Sequence, residues 1–328
     1  MTQLEHKATN RVGKKTFNLP MALGHSHVKV ASVERELDKK QAESRSMVLT
    51  TISGMAGVGK TECAKSLVCS EQAEAKYQLR GWFRADTRAQ LLTDYKDWLE
   101  DHWDVSNEEL KKWSEQKVAR QVNQRLNELE SFLVVLDNAD DPGQVRDLIP
   151  VVSSQGLKHL IITSRSREWG SLASSIITVN VPEKEEAVKM FELHSGRARS
   201  AEVDELVEAV GRLPLALSQL GAYARQNEHV SVGELLEVFR SNAKAVMDRN
   251  DIGSDARTVW ATLVTMLESI GRKTEGKMAE QVLMSCSVLE PDRIPLSLLT
   301  ELIGKLSGGA ESNNKDSKPG LFERFKKL

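Results

Sequence analysis

The chain has 328 residues, 40% of them hydrophobic and 28% charged, with a formal net charge of −2. That length exceeds one small core and suits about two or three domains. The near-neutral balance gives no support for broad nucleic-acid or membrane-surface binding, and no apolar run approaches the roughly 18 residues of a spanning helix. The stretch from Met1 to Pro20 is polar and has no apolar centre, so no secretory signal is read there. The three cysteines, Cys63, Cys69 and Cys286, form neither a disulfide framework nor a zinc site. They fit a reducing, cytoplasmic setting. Aromatic residues are only 5%, which predicts mainly aliphatic cores.

Residues 1–22 read as a disordered tail. A short charged helical pattern covers Val33 to Gln41. Met47 to Ile52 is apolar and rich in β-branched residues, and it reads as a buried strand. A helix follows from Thr61 to Gln72. Further apolar runs at 81–83, 132–136, 160–163 and 176–181 read as strands, with helices between them at Leu91 to Leu99 and Lys117 to Glu130. Alternating strands and helices predict an α/β fold, a parallel sheet covered by helices, over residues 23–182.

After Pro182 the pattern turns helical. Glu185 to Leu193, Val203 to Val210, Leu215 to Arg225 and Val232 to Met247 place apolar residues at helical spacing, predicting a helical bundle over 183–247. A polar hinge at 248–255 precedes two more helical patterns, Thr258 to Ile270 and Lys277 to Val288. Residues 306–328 read as a Gly/Ser/Asn-rich linker and the start of an amphipathic helix.

One motif carries chemistry outright. Gly54-Met55-Ala56-Gly57-Val58-Gly59-Lys60-Thr61 fits G-x-x-x-x-G-K-[ST] between a predicted strand and a predicted helix. Glycines let backbone N–H groups turn inward around phosphates, and the helix start adds its positive end. Lys60 is expected to reach the β- and γ-phosphates, Thr61 to ligate Mg²⁺, and Glu62 to follow in the same nucleotide-binding segment. The run 132–136 ends in Asp137, placed to hold the same Mg²⁺ through water. Beyond it, Asp140 or Asp141 either polarises an attacking water or forms the turn before Pro142. Arg165 ends the strand 160–163, where a parallel sheet faces its ligand. It is expected to sense a γ-phosphate. Pro214 opens a helix, which a proline at the first turn explains without function.

Together the segments GMAGVGKT, RGWFRAD (80–86), FLVVLDNADD, LIITSR, EKEEAVKMF (183–191), GRLPLAL and LGAYA (220–224) resemble the NB-ARC module of the STAND class of signalling P-loop ATPases, in its fungal and bacterial form and apparently truncated. The resemblance spans about residues 25–300. It implies a nucleotide-binding domain, a helical domain and a partial winged-helix domain at 254–305. It further implies ADP held at rest, exchange for ATP, slow hydrolysis, and protein partners or a homo-oligomer in the ATP state, as in NLR-like defence signalling. By the same resemblance Pro214 lies near the adenine or ribose. The chain departs from the family at Val28 to Val33, where a Gly-Arg pair is replaced, and at Asn138, where the second acid is an amide. No effector segment precedes the module and no repeat sensor follows it. The alternative is a non-hydrolysing ADP/ATP-binding interaction module or truncated regulator. A P-loop metabolic kinase is the third reading, disfavoured because no acceptor-site constellation is visible.

Overall fold

The computed structural model describes residues 15–20, 39, 48–151, 156–166, 168–171 and 175–247, and scattered residues between 257 and 303. It divides into two compact units, 1–190 and 191–328.

The first unit is a six-stranded, wholly parallel sheet. Its strands are β1 (Lys15–Phe17), β2 (Val48–Ser53), β3 (Leu79–Arg84), β4 (Ser131–Asp137), β5 (Leu157–Ser164) and β6 (Ser175–Thr178), in the spatial order β1-β3-β4-β5-β2-β6. Every residue of β4 is buried. Side chains alternate between the faces of a strand. Phe132, Val134 and Leu136 join one core cluster with residues of α3 (Arg88–Trp103), α4 (Asn107–Lys112) and α5 (Glu115–Asn127). Leu133, Val135 and Asp137 point the other way. On that face α1 (Lys60–Val68) lies over β2, β4 and β5. The apolar runs are thus explained by cover on both sides, as the sequence predicts for an α/β fold.

Two details differ from the sequence reading. Residues 15–17 are not part of a disordered tail: they form an edge strand beside β3, Lys15 opposite Leu79 and Phe17 opposite Gly81. Phe17 buries its ring 5.1 Å from that of Phe83, which is the gain that holds so short a strand. The helix expected over 61–72 is two helices. It breaks at Ser70, whose hydroxyl accepts from the Ala73 N–H at 3.0 Å and caps α2 (Glu71–Lys76). The core is mainly aliphatic, as the composition predicts, and the few aromatics are concentrated in it. Phe83, Tyr95, Trp98, Phe132 and Trp169 are almost fully buried in one cluster.

The second unit is helical through 247. Between the units runs α7 (Lys184–Ser195), and the division falls inside it, whereas the sequence places a boundary at 183. There follow α8 (Ala201–Ala209), α9 (Pro214–Gln226) and α10 (Val232–Met247), α8 packing on α10. Gly221 sits on the buried face of α9. A Cβ there would meet the His194 Cβ at 2.6 Å, so the small residue lets α9 approach α7. Arg197 donates to the carbonyls of Ala224, Glu228 and Val230 and ties down the end of α9. The described residues between 257 and 303 are helical. The predicted helix at 33–41 (apart from Lys39), the hinge at 248–255 and the linker at 306–328 lie outside the described residues. No helix among the described residues is long and apolar enough to cross a membrane.

A buried histidine makes the fold sensitive to acid. His159 on β5 is 2% exposed and its Nδ1 is hydrogen-bonded to the Tyr77 hydroxyl. Burial, assisted by the charge of Lys76, pushes its pKa down to about 4. A folded-state pKa below the unfolded value of about 6.5 means the unfolded chain binds the proton first. The stability contribution is therefore complete above about pH 6.5 and is lost as the pH falls toward 4, by up to about 3 kcal/mol. Urea unfolding between pH 7 and 4.5 should show this loss, and His159→Gln should flatten it.

Candidate functional site

The loop after β2 has the shape its sequence demands. A Cβ on Gly54 would lie 2.5 Å from the Val179 carbonyl oxygen, so no larger residue fits there. Gly59 caps α1 with φ 101°, a left-handed conformation natural to glycine. No side chain caps α1. At this end the Cys63 N–H donates to the Gly59 carbonyl at 2.9 Å. The first-turn N–H groups before it are oriented for an anion.

Lys60 Nζ donates to the carbonyls of Gly54 at 2.9 Å and Met55 at 3.1 Å, which keeps the ammonium over the loop. Partial burial pulls its pKa down, while Asp140 and Asp137 pull it up and Arg165 pulls it down again. Those charges therefore surround one spot. Val58 is buried beneath the loop and Met55 is exposed above it, with Ala56 and Gly57 half-buried. Glu62, in the first turn of α1, pairs with Lys65 at 2.7 Å.

The strand ends beside the loop supply the rest. Thr61 Oγ1 donates to Asp137 Oδ1 at 3.0 Å, and the Thr163 hydroxyl donates to the same oxygen. Asp137 is 7% exposed. Burial raises its pKa, the two hydroxyls lower it, and neighbouring Asp86 raises it. Thr61 and Asp137 are adjacent hard oxygen donors, the set from which Mg²⁺ takes one or two protein ligands while keeping waters and phosphate oxygens. No group of three or more ligating side chains occurs among the described residues, and Mg²⁺ on a nucleotide needs none.

Sequence reasoning left the acids beyond Asp137 open, and the structure sorts them. Asp141 caps the short helix α6 (Pro142–Val145), accepting from the Gly143 N–H at 2.9 Å. Asp140 accepts from the Arg165 backbone N–H at 2.6 Å and from Arg165 Nε at 2.5 Å. It is thus the counter-ion of the expected sensor. Asn138 donates through Nδ2 to Asp86 Oδ1 at 3.0 Å. Asp86 ends the segment after β3; the sequence contains it in the RGWFRAD run but gives no sign of this contact. Pro214 is the first residue of α9, in the second unit. Its neighbour Arg212 has φ 56° and Gly211 φ 61°, which shape the turn into that helix.

The profile of the NB-ARC domain family matches residues 27–201. The chain belongs to the NB-ARC family. The match takes in the loop at Gly54 to Thr61, Asp137 and Arg165. NB-ARC domains are nucleotide-binding P-loop folds, and the architecture above is of that kind. Among solved structures this NB-ARC chain is similar to a Walker-type ATPase of Pyrococcus abyssi, with 15% identity, 88% of this chain and 91% of that one covered, and a TM-score of 0.46. It is also similar to a STAND protein with a tetratricopeptide repeat sensor from Pyrococcus horikoshii, with 14% identity, 88% and 49% covered, and a TM-score of 0.44. The Holliday junction branch migration motor RuvB of Thermotoga maritima gives 14%, 84% and 82%, and 0.37. At such identities the assignment rests on the family profile. No curated protein matches the chain.

Asp137 carries a cost that function explains. Its raised pKa means that the ionised form is disfavoured in the fold, so stability falls as the pH rises through the folded pKa. Asp137→Asn keeps an oxygen to accept from Thr61 and Thr163 and removes the charge. The ligand-free variant should melt a few degrees higher than the parent at pH 7, and the gain should vanish below the unfolded carboxylate pKa. Differential scanning calorimetry at both ends of that range checks it.

Proposed function

We propose that this chain is an adenine-nucleotide switch. In this reading ADP or ATP binds with Mg²⁺ at the loop 54–61, and the two nucleotides favour different states of the chain. Slow hydrolysis of ATP returns the switch to its ADP state. The observation that carries the reading is the exchangeable pair Arg165–Asp140 beside Lys60. A γ-phosphate brings anionic oxygens that compete with Asp140 for the guanidinium by charge-assisted hydrogen bonds. ADP has no such group. The partner of Arg165 therefore reports which nucleotide is present.

Each residue has a stated part. The first-turn N–H groups of α1 and Lys60 hold the phosphates. Thr61 and Asp137 hold Mg²⁺, which neutralises phosphate charge when bound. Pro214 is, by the family resemblance alone, the residue that meets the adenine or ribose. Protein partners or further copies of the chain engage in the ATP state, as in the signalling relatives that the sequence resembles. Asn138, an amide where the family carries an acid, favours a second reading, a module that binds nucleotide and does not hydrolyse it. Phosphate release by the purified chain, compared with Lys60→Ala, separates the two.

Lys60→Ala should weaken nucleotide binding about 100-fold or more, the loss of a partly desolvated charge pair with phosphate. Calorimetric titration with ADP and ATP measures it, and retained tight binding contradicts the loop assignment. Arg165→Ala should lower ATP affinity while leaving ADP affinity within about twofold, because its partner is the γ-phosphate alone. Equal losses for both nucleotides would mean that Arg165 does not distinguish them.

A further inference from the structure

The hydrolytic half of this reading lacks a water-handling group. Asp137 is occupied by Thr61 and Thr163. Asp140 stays held through Oδ1 by the Arg165 backbone N–H even when the guanidinium turns to a phosphate. Asp141 caps α6. Asn138 is left, directly after the metal acid.

The backbone holds Asn138 firmly. Its N–H donates to Thr163 Oγ1 at 2.9 Å and its carbonyl accepts from the Asp140 N–H at 2.8 Å. The next residue, Ala139, donates to the Thr163 carbonyl, and its own carbonyl accepts from Ser164 Oγ and from the Trp169 indole. With φ at 60°, Asn138 sits in a left-handed conformation that asparagine tolerates better than most residues. A segment pinned this way gives its side chain one place to work from.

The amide can face only one way. Asp86, when ionised, accepts hydrogen bonds and donates none. It therefore demands the Nδ2 group of Asn138, which donates to it at 3.0 Å. The amide oxygen is turned away from Asp86 and accepts no hydrogen bond among the described residues. An acceptor oxygen can align a water without taking its proton, as the amide of a water-positioning glutamine does in other nucleotide triphosphatases.

Resting on the hydrolytic reading above, we infer that Asn138 orients the attacking water through its amide oxygen and that Asp86 is the positioning residue that holds the amide in that sense. The water oxygen bonds to Pγ, and the bond from Pγ to the β–γ bridging oxygen breaks. ADP leaves with that electron pair. The proton of the water ends on the released phosphate and solvent, since the amide has no base to offer. Turnover is slow for that reason and shows no carboxylate limb from a general base.

The test uses the full chain with Mg²⁺ and ATP, measuring phosphate release from pH 5.5 to 8 and nucleotide affinity by titration on the same samples. Asn138→Ala and Asp86→Asn should each reduce turnover about tenfold or more, within the range for losing a positioned group, while affinity changes about twofold or less. The exchanged pair Asp86→Asn with Asn138→Asp restores an amide facing a carboxylate. It should recover turnover above Asp86→Asn alone and should acquire an acid limb, because position 138 then holds a base. A merely structural Asp86 would instead lower melting temperature and affinity together and gain no acid limb on exchange. Parental turnover in Asp86→Asn overturns the inference. So does a parent chain that releases phosphate no faster than Lys60→Ala, and if that parent still binds ATP, the binding reading survives alone. A parent that binds neither nucleotide overturns both.

Discussion

One buried carboxylate organises the site. Asp137 accepts from Thr61 at the start of α1 and from Thr163 near the end of β5, so a single oxygen ties loop, helix and two strands together. Its place follows from the strand that carries it. β4 is buried along its whole length, and a slip of one residue would turn every side chain to the opposite face. The apolar pattern of 132–136 thus fixes where the acid emerges. The desolvation that raises its pKa is the cost of that placement. Stability alone would favour a neutral residue there.

The strand order decides which chemistry can meet. β5 lies between β2, which leads into the loop, and β4, which carries the acid. The loop therefore faces two strand ends. β5 brings Thr163 and Arg165, while β4 brings Asp137, Asn138 and Asp140. One strand further, β3 leads to Asp86. Signs alternate across this edge, with Lys60, the acids and Arg165 set side by side. Arg165 and Asp140 form an ion pair at 2.5 Å. A ligand that carries its own anionic groups and a cation can replace these pairings, and rearranging them changes what the loops hold.

Much of this was legible in the sequence, for physical reasons. Phosphate binding dictates residue types at Gly54, Gly59, Lys60 and Thr61, so the loop declared itself. A sheet covered on both faces must be made of apolar runs, so β2 to β6 were readable near their true ends. The exceptions share one cause, a dependence on contacts distant in sequence. β1 has three residues and one buried ring, and only the neighbouring β3 reveals it. The break at Ser70 was hidden because a helical pattern continues on both sides of the cap. The partners of Asp140, Asp141 and Asn138 were undecidable because four polar residues within the five positions 137–141 can each serve a turn, a cap or a ligand. Only the register of β3 on β4, with Arg84 opposite Asp137, brings Asp86 to Asn138.

That register also accounts for the amide at 138. Asp86 already raises the pKa of Asp137 by its charge. An acid at 138 would add a third carboxylate in hydrogen-bonding reach of Asp86. Like charges so close cannot all stay ionised, and one would take up a proton at neutral pH. The resulting site would carry a base of uncertain charge and would weaken the metal acid beside it. An amide avoids this: it donates to Asp86 and adds no charge beside Asp137. What it gives up is proton acceptance. For an enzyme that loss lowers the rate. For a switch it lengthens the ATP state, and the lifetime of that state is what a partner has time to read.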